Sequence, residues 1–297
     1  MHRKGESEVM QCGREVSGEE IAQIRETVET FCLLSRTELI ATVCEHMEWH
    51  SASGTNKVGA CEKLLEKLES QGLLRLPEKR SSSSWKPREP AITERTAPAP
   101  EINGSIKDAG RVGLKIVVDK EENALWKEYV SRYHYLGYKK PYGCDLRYFI
   151  ESDLGRLGCL LFAGASKSIG VRDRWIGWSD RERLLNLGYV VNNSRFLIFP
   201  WVKVMNLASH VLGEIGRRIR DDWEERWNYR PVLLETFVDP RYYAGSSYLA
   251  ANWLYLGMTT GEGLVRPGKS YTTTPKKIFV FPLVEDIRTA LCQGVRS

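Results

Sequence analysis

No apolar run in the chain reaches eighteen residues, so no membrane-spanning helix is expected, and the opening MHRKGESEVM lacks the apolar stretch of a secretory signal. A soluble, cytoplasmic protein with no membrane partner is the expectation. Cysteine is sparse: Cys12, Cys32, Cys44, Cys61, Cys144, Cys159 and Cys292 are odd in number, scattered and never spaced Cys-x-x-Cys. That pattern argues against a disulfide framework and against a structural zinc, and it fits buried thiols in a reducing compartment. Nor does either charge dominate, since 43 Lys and Arg stand against 38 Asp and Glu, a net +5. Such a balance permits contact with nucleic acid without demanding it.

What is present is enough apolar material, 42% of 297 residues, for one large core and one small one. Residues 1–76 predict a small helical domain. Ser17 and Ser35 each precede a glutamate by three places (Glu20, Glu38), the capping-box spacing, so two helices start there. The first turns Ile21, Ile24, Val28 and Phe31 inward and the second Leu39, Val43 and Met47. A third helix from about Asn56 puts Val58, Cys61, Leu65 and Leu68 on one face, stops at Gly72 and leads into a short strand, Leu73 to Leu76. Three helices and a strand suggest a helix-turn-helix or winged-helix module with Lys57, Lys63 and Lys67 near DNA phosphates. Glu62, Glu66 and Glu69 on the same helix support the alternative, an interaction domain with a solvated charged face. Residues 77–107, with Ser81 to Ser84, Pro87, Pro90, Pro98 and Pro100, predict a flexible linker.

Residues 108–297 predict an α/β (α+β) domain. A strand, Leu114 to Val118, precedes a helix from Lys120 with Leu125, Trp126, Tyr129 and Val130 inward. That helix ends in YHYLGY, where His134 is either a general base or metal ligand or a packed histidine in an aromatic cluster. Leu146 to Ile150 and Leu157 to Ala163 form a hairpin. Next, Trp175 and Trp178 alternate with Arg172, Arg174, Arg181 and Arg183, either a surface that stacks bases or a helix-loop segment whose arginines pair with Asp173, Asp180 and Glu182. Tyr189 to Trp201 reads as one long strand carrying Asn193 and Arg195, and Asn206 and Ser209 open a helix running to about Trp223. Ser209 is a substrate-binding candidate at that junction.

The densest chemistry lies in Pro231 to Gly261. Val232 to Val238 is a strand buried on both faces, Asp239-Pro240 ends it, and a short helix from Ser246 is expected to stop at Gly257. A polar cluster at the carboxyl end of a buried strand is where open α/β folds place a ligand. Asp239 can deprotonate a nucleophile or hold a divalent metal, Tyr248 can donate a proton or stack, and Asn252 can read a substrate edge. Glu235, four residues before Asp239, is expected on the same side of the strand as a carboxylate pair, with Arg195 and Arg241 anchoring phosphate. Ordinary roles compete: a turn for Asp239, a cap for Asn252, core packing for Tyr248. The chain closes with a strand, Ile278 to Pro282, and a short helix from Glu285.

FVDPRYYAGSSYLAANWLYLGMTTG, together with DRWIGWSDRERLLNLGYVVNNSRFLIFPWVKVMNLASHVL and the YHYLGY at 133–138, resembles the family of the Druantia anti-phage component DruA over roughly residues 15–285. The resemblance implies a defence role or a transposase association, DNA as a partner, and a helicase or other defence proteins alongside. More distantly, the order of elements is similar to the GNAT acyltransferase fold, above all to phage Mom-type DNA-modification proteins. That likeness implies a GNAT-like mixed sheet flanked by helices, in an enzyme that modifies or processes nucleic acid. A non-catalytic DNA-binding recruitment component and an acyl-coenzyme A-dependent acetyltransferase are the other readings. In the GNAT fold a Gly-x-Gly at the strand–helix junction holds the pyrophosphate of coenzyme A; the corresponding PWVKVMNLAS has no glycine, which argues against acetyl-coenzyme A as cofactor.

Overall fold

A computed structural model describes residues 9–11, 14–31, 34–78, 90–141, 144–261 and 274–292. The chain divides into two compact units, residues 1–86 with 180–185, and the rest.

In the first unit, β1 (Val9–Gln11) pairs antiparallel with β2 (Arg14–Val16), followed by α1 (Gly18–Thr30), α2 (Arg36–His46) and α3 (Val58–Ser70). Both capping boxes form: the Ser17 and Ser35 hydroxyls accept from the amides of Glu20 and Glu38, whose carboxylates accept from the serine amides. Ser35→Ala is expected to cost about 1 kcal/mol, seen as a lower urea midpoint with an unchanged slope. Ile24, Val28, Leu39, Val43, Cys61, Leu65 and Leu68 are buried together, as their spacing predicts. Phe31 differs: past the end of α1 it is 37% exposed, edge-on to His46. Leu73–Leu76 is not a strand; the Leu76 amide donates to Glu69 Oε1, which ties this segment back to α3 instead of to a sheet. On α3, Lys63 and Lys67 are exposed and Lys57 is the half-buried N-cap residue, while Glu66 and Glu69 engage Arg36.

The second unit starts where a linker is expected. Residues 79–89 lie outside the described residues, but from Thr93 onward the chain is anchored. The Thr93 amide, Thr93 Oγ1 and Thr96 Oγ1 all donate to Glu128 Oε1, and β3 (Ile102–Gly104) is a paired strand. Polar side chains order this stretch, a contribution that its low apolar content conceals. Then follow β4 (Gly113–Ile116), α4 (Lys120–Tyr133), β5 (Asp145–Ser152), β6 (Gly155–Gly164), α5 (Gly170–Ile176), β7 (Val190–Ile198), β8 (Val202–Val204), α7 (Leu207–Trp227), β9 (Leu233–Val238), α8 (Ser246–Ala250), β10 (Leu254–Met258), β11 (Lys277–Pro282) and α9 (Ile287–Cys292), while α6 (Asp180–Asn186), between α5 and β7 in the chain, falls almost wholly in the first unit. Seven strands form a mixed sheet in the order β10-β11-β9-β7-β6-β5-β4, flanked by helices, and β3 pairs parallel with β8.

One hydrophobic cluster joins Trp126 of α4 and Ile215, Ile219 and Trp223 of α7 to Tyr148, Phe162 and Leu234. A second holds Ile176, Val190, Leu233, Ile278 and Val280. Leu233 and Leu234 go to different clusters because successive strand side chains point to opposite faces. Cys44, Cys61 and Cys159 are buried free thiols. The expected single strand from Tyr189 to Trp201 ends at Ile198, and a turn at Phe199–Trp201 separates β7 from β8. The expected helix to Gly257 is cut to five residues, since Asn252 takes a left-handed conformation (φ 63°) and β10 then joins the edge of the sheet.

Candidate active site

β7 and β9 run parallel but pair only from Val190↔Leu233 to Asn192↔Glu235. Beyond that point the ladder between them stops and the Thr236 side chain, not the backbone, bridges to β7, so their backbones part. On its other edge β7 stays paired with β6, and the register shifts so that Ser194 is an extra residue opposite Leu161 and Phe162. A cavity of about 290 Å³ occupies the gap, lined by Asn193, Ser194 and Phe196 of β7, Thr236 of β9, Tyr248 of α8 and His134 just past α4. Among the described residues, no Asp, Glu, Lys or Arg lines it.

Its polar wall is a fixed network. Tyr248 Oη donates to Asn193 Oδ1 at 2.7 Å, while Asn193 Nδ2 donates to the carbonyls of Leu161 and Arg195 at 3.3 and 3.2 Å. Thr236 Oγ1 donates to the Asn193 carbonyl at 3.0 Å. Phe279 stacks on the Tyr248 ring and Trp253 meets it edge-on. Burial pushes the Tyr248 phenol well above its ordinary range, so it stays protonated. Ser194 Oγ is buried with no hydrogen-bond partner among the described residues. His134 Nδ1 accepts the Leu136 amide at 3.2 Å, which puts the proton of the neutral ring on Nε2. Burial first, and the Arg195 guanidinium second, pull its pKa down to about 4. At neutral pH this imidazole is an uncharged donor. Arg195 ties the YHYLGY segment to β7, with Nε on the Gly137 carbonyl at 2.9 Å and Nη1 on the Ser194 carbonyl at 2.6 Å. No ion pair to Arg195 is found among the described residues.

Of the residues expected to converge, Tyr248 and His134 line the cavity, and Arg195 lies beside it in sequence and space. The others do not line it. Asp239 and Arg241 hold each other in a bidentate pair, Nε–Oδ1 3.0 Å and Nη2–Oδ2 2.7 Å, and the guanidinium keeps that carboxyl below its usual range. Glu235 is fully buried against Arg172 at 2.7 Å and accepts the Ser166 amide at 2.9 Å. The expected carboxylate pair does not form, because β9 ends at Val238 and the amides of Tyr242 and Tyr243 fold back onto the Asp239 carbonyl. Asn252 is an exposed helix-end residue. Trp178 is buried, donating from Nε1 to Asp173 Oδ1 at 3.1 Å, and half-buried Trp175 packs on the second hydrophobic cluster. Arg172, between Asp173, Glu235 and the Trp178 ring, is fully buried, so Arg172 and Trp178 are core, while Arg174 and Arg181 are exposed. Ser209 Oγ is committed to the Asn206 carbonyl at 3.0 Å. Lys57, Lys63 and Lys67 belong to the first unit.

Asn193, Ser194 and Thr236 are the site residues that sequence reasoning passed over. For Asn193 and Ser194 a signal is visible in VVNNSRFLI, since a buried strand has no packing need for three consecutive polar residues followed by an arginine, whereas Thr236 is a β-branched residue of an apolar strand and carries none. Among the described residues, no three His, Cys, Asp or Glu side chains come together as a metal-binding group, and no helix is long and apolar enough to cross a membrane. The turn before α7 contains Asn206 at φ 60° and no glycine.

No curated protein matches the chain. Solved structures similar to part of it include FeeM, an N-acyl amino acid synthase from uncultured soil microbes (12% identity, 61% of this chain and 94% of that chain, TM-score 0.34). An N-acetyltransferase from Staphylococcus aureus Mu50 aligns at 11% identity over 59% of this chain and 99% of that chain, with TM-score 0.34. The CoA-dependent acyl-homoserine lactone synthase MesI aligns at 11% identity over 61% of this chain and 93% of that chain, with TM-score 0.31. The family model for Druantia protein DruA matches residues 67–273, well over half of the sequence and the whole span from β4 to β10, and the chain belongs to that family.

Proposed function

We propose that this chain acts on nucleic acid in anti-phage defence, and that the cavity between β7 and β9 receives a nucleobase. The observation that carries the reading is the chemistry of the cavity wall: aromatic rings, no Asp, Glu, Lys or Arg among the described lining residues, and polar groups with no hydrogen-bond partner among the described residues, Ser194 Oγ and His134 Nε2–H among them. Aromatic walls suit the face of a neutral heterocycle, and a donor with a hydroxyl suits its edge. Enzymes that modify a base bring it out of the stack into a pocket of this kind. In this reading Tyr248, kept protonated by burial and resting its O–H on Asn193 Oδ1, is the proton donor once that O–H turns to the base. DNA is the substrate, Lys63 and Lys67 of the first unit contact its phosphates, and a helicase acts alongside in the cytoplasm.

Tyr248→Phe tests the assignment. It removes one hydrogen bond to Asn193, at about 1 kcal/mol of stability, and leaves the ring packing intact, while phage protection is expected to fall at least tenfold in plaque counts. Nucleosides are expected to bind the wild type in calorimetry, and DNA from cells making it to contain nucleosides of altered mass. Full protection by both Tyr248→Phe and Ser194→Ala, with no nucleoside binding, would remove this reading. A second reading, acyl transfer, draws on Ala208, which brings the first turn of the 21-residue α7 to the cavity. Calorimetric binding of acetyl-coenzyme A instead of nucleosides would favour it.

A further inference from the structure

Three tyrosines stand exposed at the cavity mouth. Tyr135, Tyr242 and Tyr243 are 40%, 57% and 57% accessible, yet their rings cluster, with centroids 4.9 Å apart for Tyr135–Tyr242, 5.8 Å for Tyr135–Tyr243 and 6.5 Å for Tyr242–Tyr243. A closed turn presents two of them, since the amides of Tyr242 and Tyr243 both donate to the Asp239 carbonyl, at 3.1 and 3.0 Å. Stacking of His134 on Tyr135 at 4.9 Å supports the third. Tyr135 and Tyr243 also line the cavity, and Tyr242 does not.

The surroundings are cationic. The Arg241 guanidinium lies 5.4 Å over the Tyr242 ring, Arg195 acts on Tyr135, Lys276 acts on Asp239, and Lys277 Nζ donates to the Ala244 carbonyl at 3.0 Å. Among the described residues named here, four cations stand against one carboxylate, Asp239, and Arg195 has no ion pair among the described residues.

We propose that the tyrosine cluster is a platform for single-stranded nucleic acid, stacking the bases that flank the one entering the cavity; the proposal rests on the nucleobase reading above. Unpaired bases have faces free to stack on exposed rings, whereas duplex bases already stack on each other, and a net positive rim neutralises the phosphates between them. That charge favours a polyanion over a protein partner.

The experiment measures fluorescence anisotropy of a labelled oligothymidylate of about 16 nucleotides and of a hairpin duplex. Saturation-transfer NMR with thymidine, run in parallel on the wild type and Ser194→Ala, reports the cavity through the part of the signal that Ser194→Ala removes, and that part is the thymidine signal meant below. The wild-type chain is expected to prefer the single strand. Tyr242→Ala, which leaves the cavity lining untouched, is expected to weaken strand binding roughly 5- to 100-fold without changing the thymidine signal, and Tyr242→Phe to restore it. Equal strand affinity for wild type and Tyr242→Ala, with the thymidine signal intact, overturns the platform and spares the cavity reading. Strand binding that depends on Tyr242 with no thymidine signal supports the platform and counts against the cavity. Self-association abolished by Tyr242→Ala, with no strand binding, assigns the patch to a second copy of the chain and overturns the proposal.

Discussion

Glu235→Leu is expected to lower the stability of the second unit by roughly 3–5 kcal/mol. Both side chains of the Arg172–Glu235 pair are 0% exposed, with 2.7 Å between Nη1 and Oε2. Removing the carboxylate strands a guanidinium in a site that no water reaches, with only Asp173 and the Ser166 carbonyl left to satisfy it. It also orphans the Ser166 amide. Burial pushes the Glu235 carboxyl up while Arg172 pulls it down, so the pair is held by mutual need and not by a surplus of attraction. Arg172→Met combined with Glu235→Leu is therefore expected to recover part of the loss, because the desolvation cost of both fully buried charges disappears while Asp173 loses its guanidinium partner. Urea denaturation of the two single variants and the double variant gives the coupling. A single variant of wild-type stability but without phage protection would instead return Glu235 to the chemistry.

His134 sets the second large effect. Its ordinary pKa of 6.5 falls to about 4 in the fold. Above pH 6.5 both folded and unfolded chains carry a neutral ring and the histidine adds no pH dependence. Between pH 6.5 and 4 the unfolded chain takes up a proton that the folded chain refuses, so stability falls with pH across that window and levels off below it. The drop approaches about 3 kcal/mol, an upper value because part of the ring reaches solvent. Carboxylates titrate in the same window, so the measurement is the difference between the wild type and His134→Gln. The variant is expected to lose this component of the slope, and an NMR titration of the His134 ring to place its midpoint near 4. Equal slopes in the two proteins would mean that the ring is not desolvated as the cavity geometry requires.

How much of this was legible beforehand varies from element to element. Ser17-x-x-Glu20 and Ser35-x-x-Glu38 mark two helix starts correctly because a capping box is satisfied within four residues. Leu125, Trp126, Tyr129 and Val130 show which face of α4 is buried, and the apolar run at 232–238 reads as β9, because burial on one stripe or on both faces leaves a local period. Tyr248 and His134, at the ends of such elements, could be picked out as candidates. Their neighbours could not. Whether Asp239 is a base or a partner of Arg241 depends on where β9 stops, and whether Glu235 meets Asp239 or Arg172 depends on a residue 63 positions away.

The sequence by itself determined where several helices and strands begin and which of their faces are apolar, because backbone sterics and solvent act on each segment locally. Only the tertiary structure decided that β7 and β9 pair for three residues and then part, which opens the cavity and puts Asn193, Ser194, Thr236 and Tyr248 around it. Strand pairing joins residues distant in the chain, and one residue of register turns every side chain to the other face, so no local pattern carries that information.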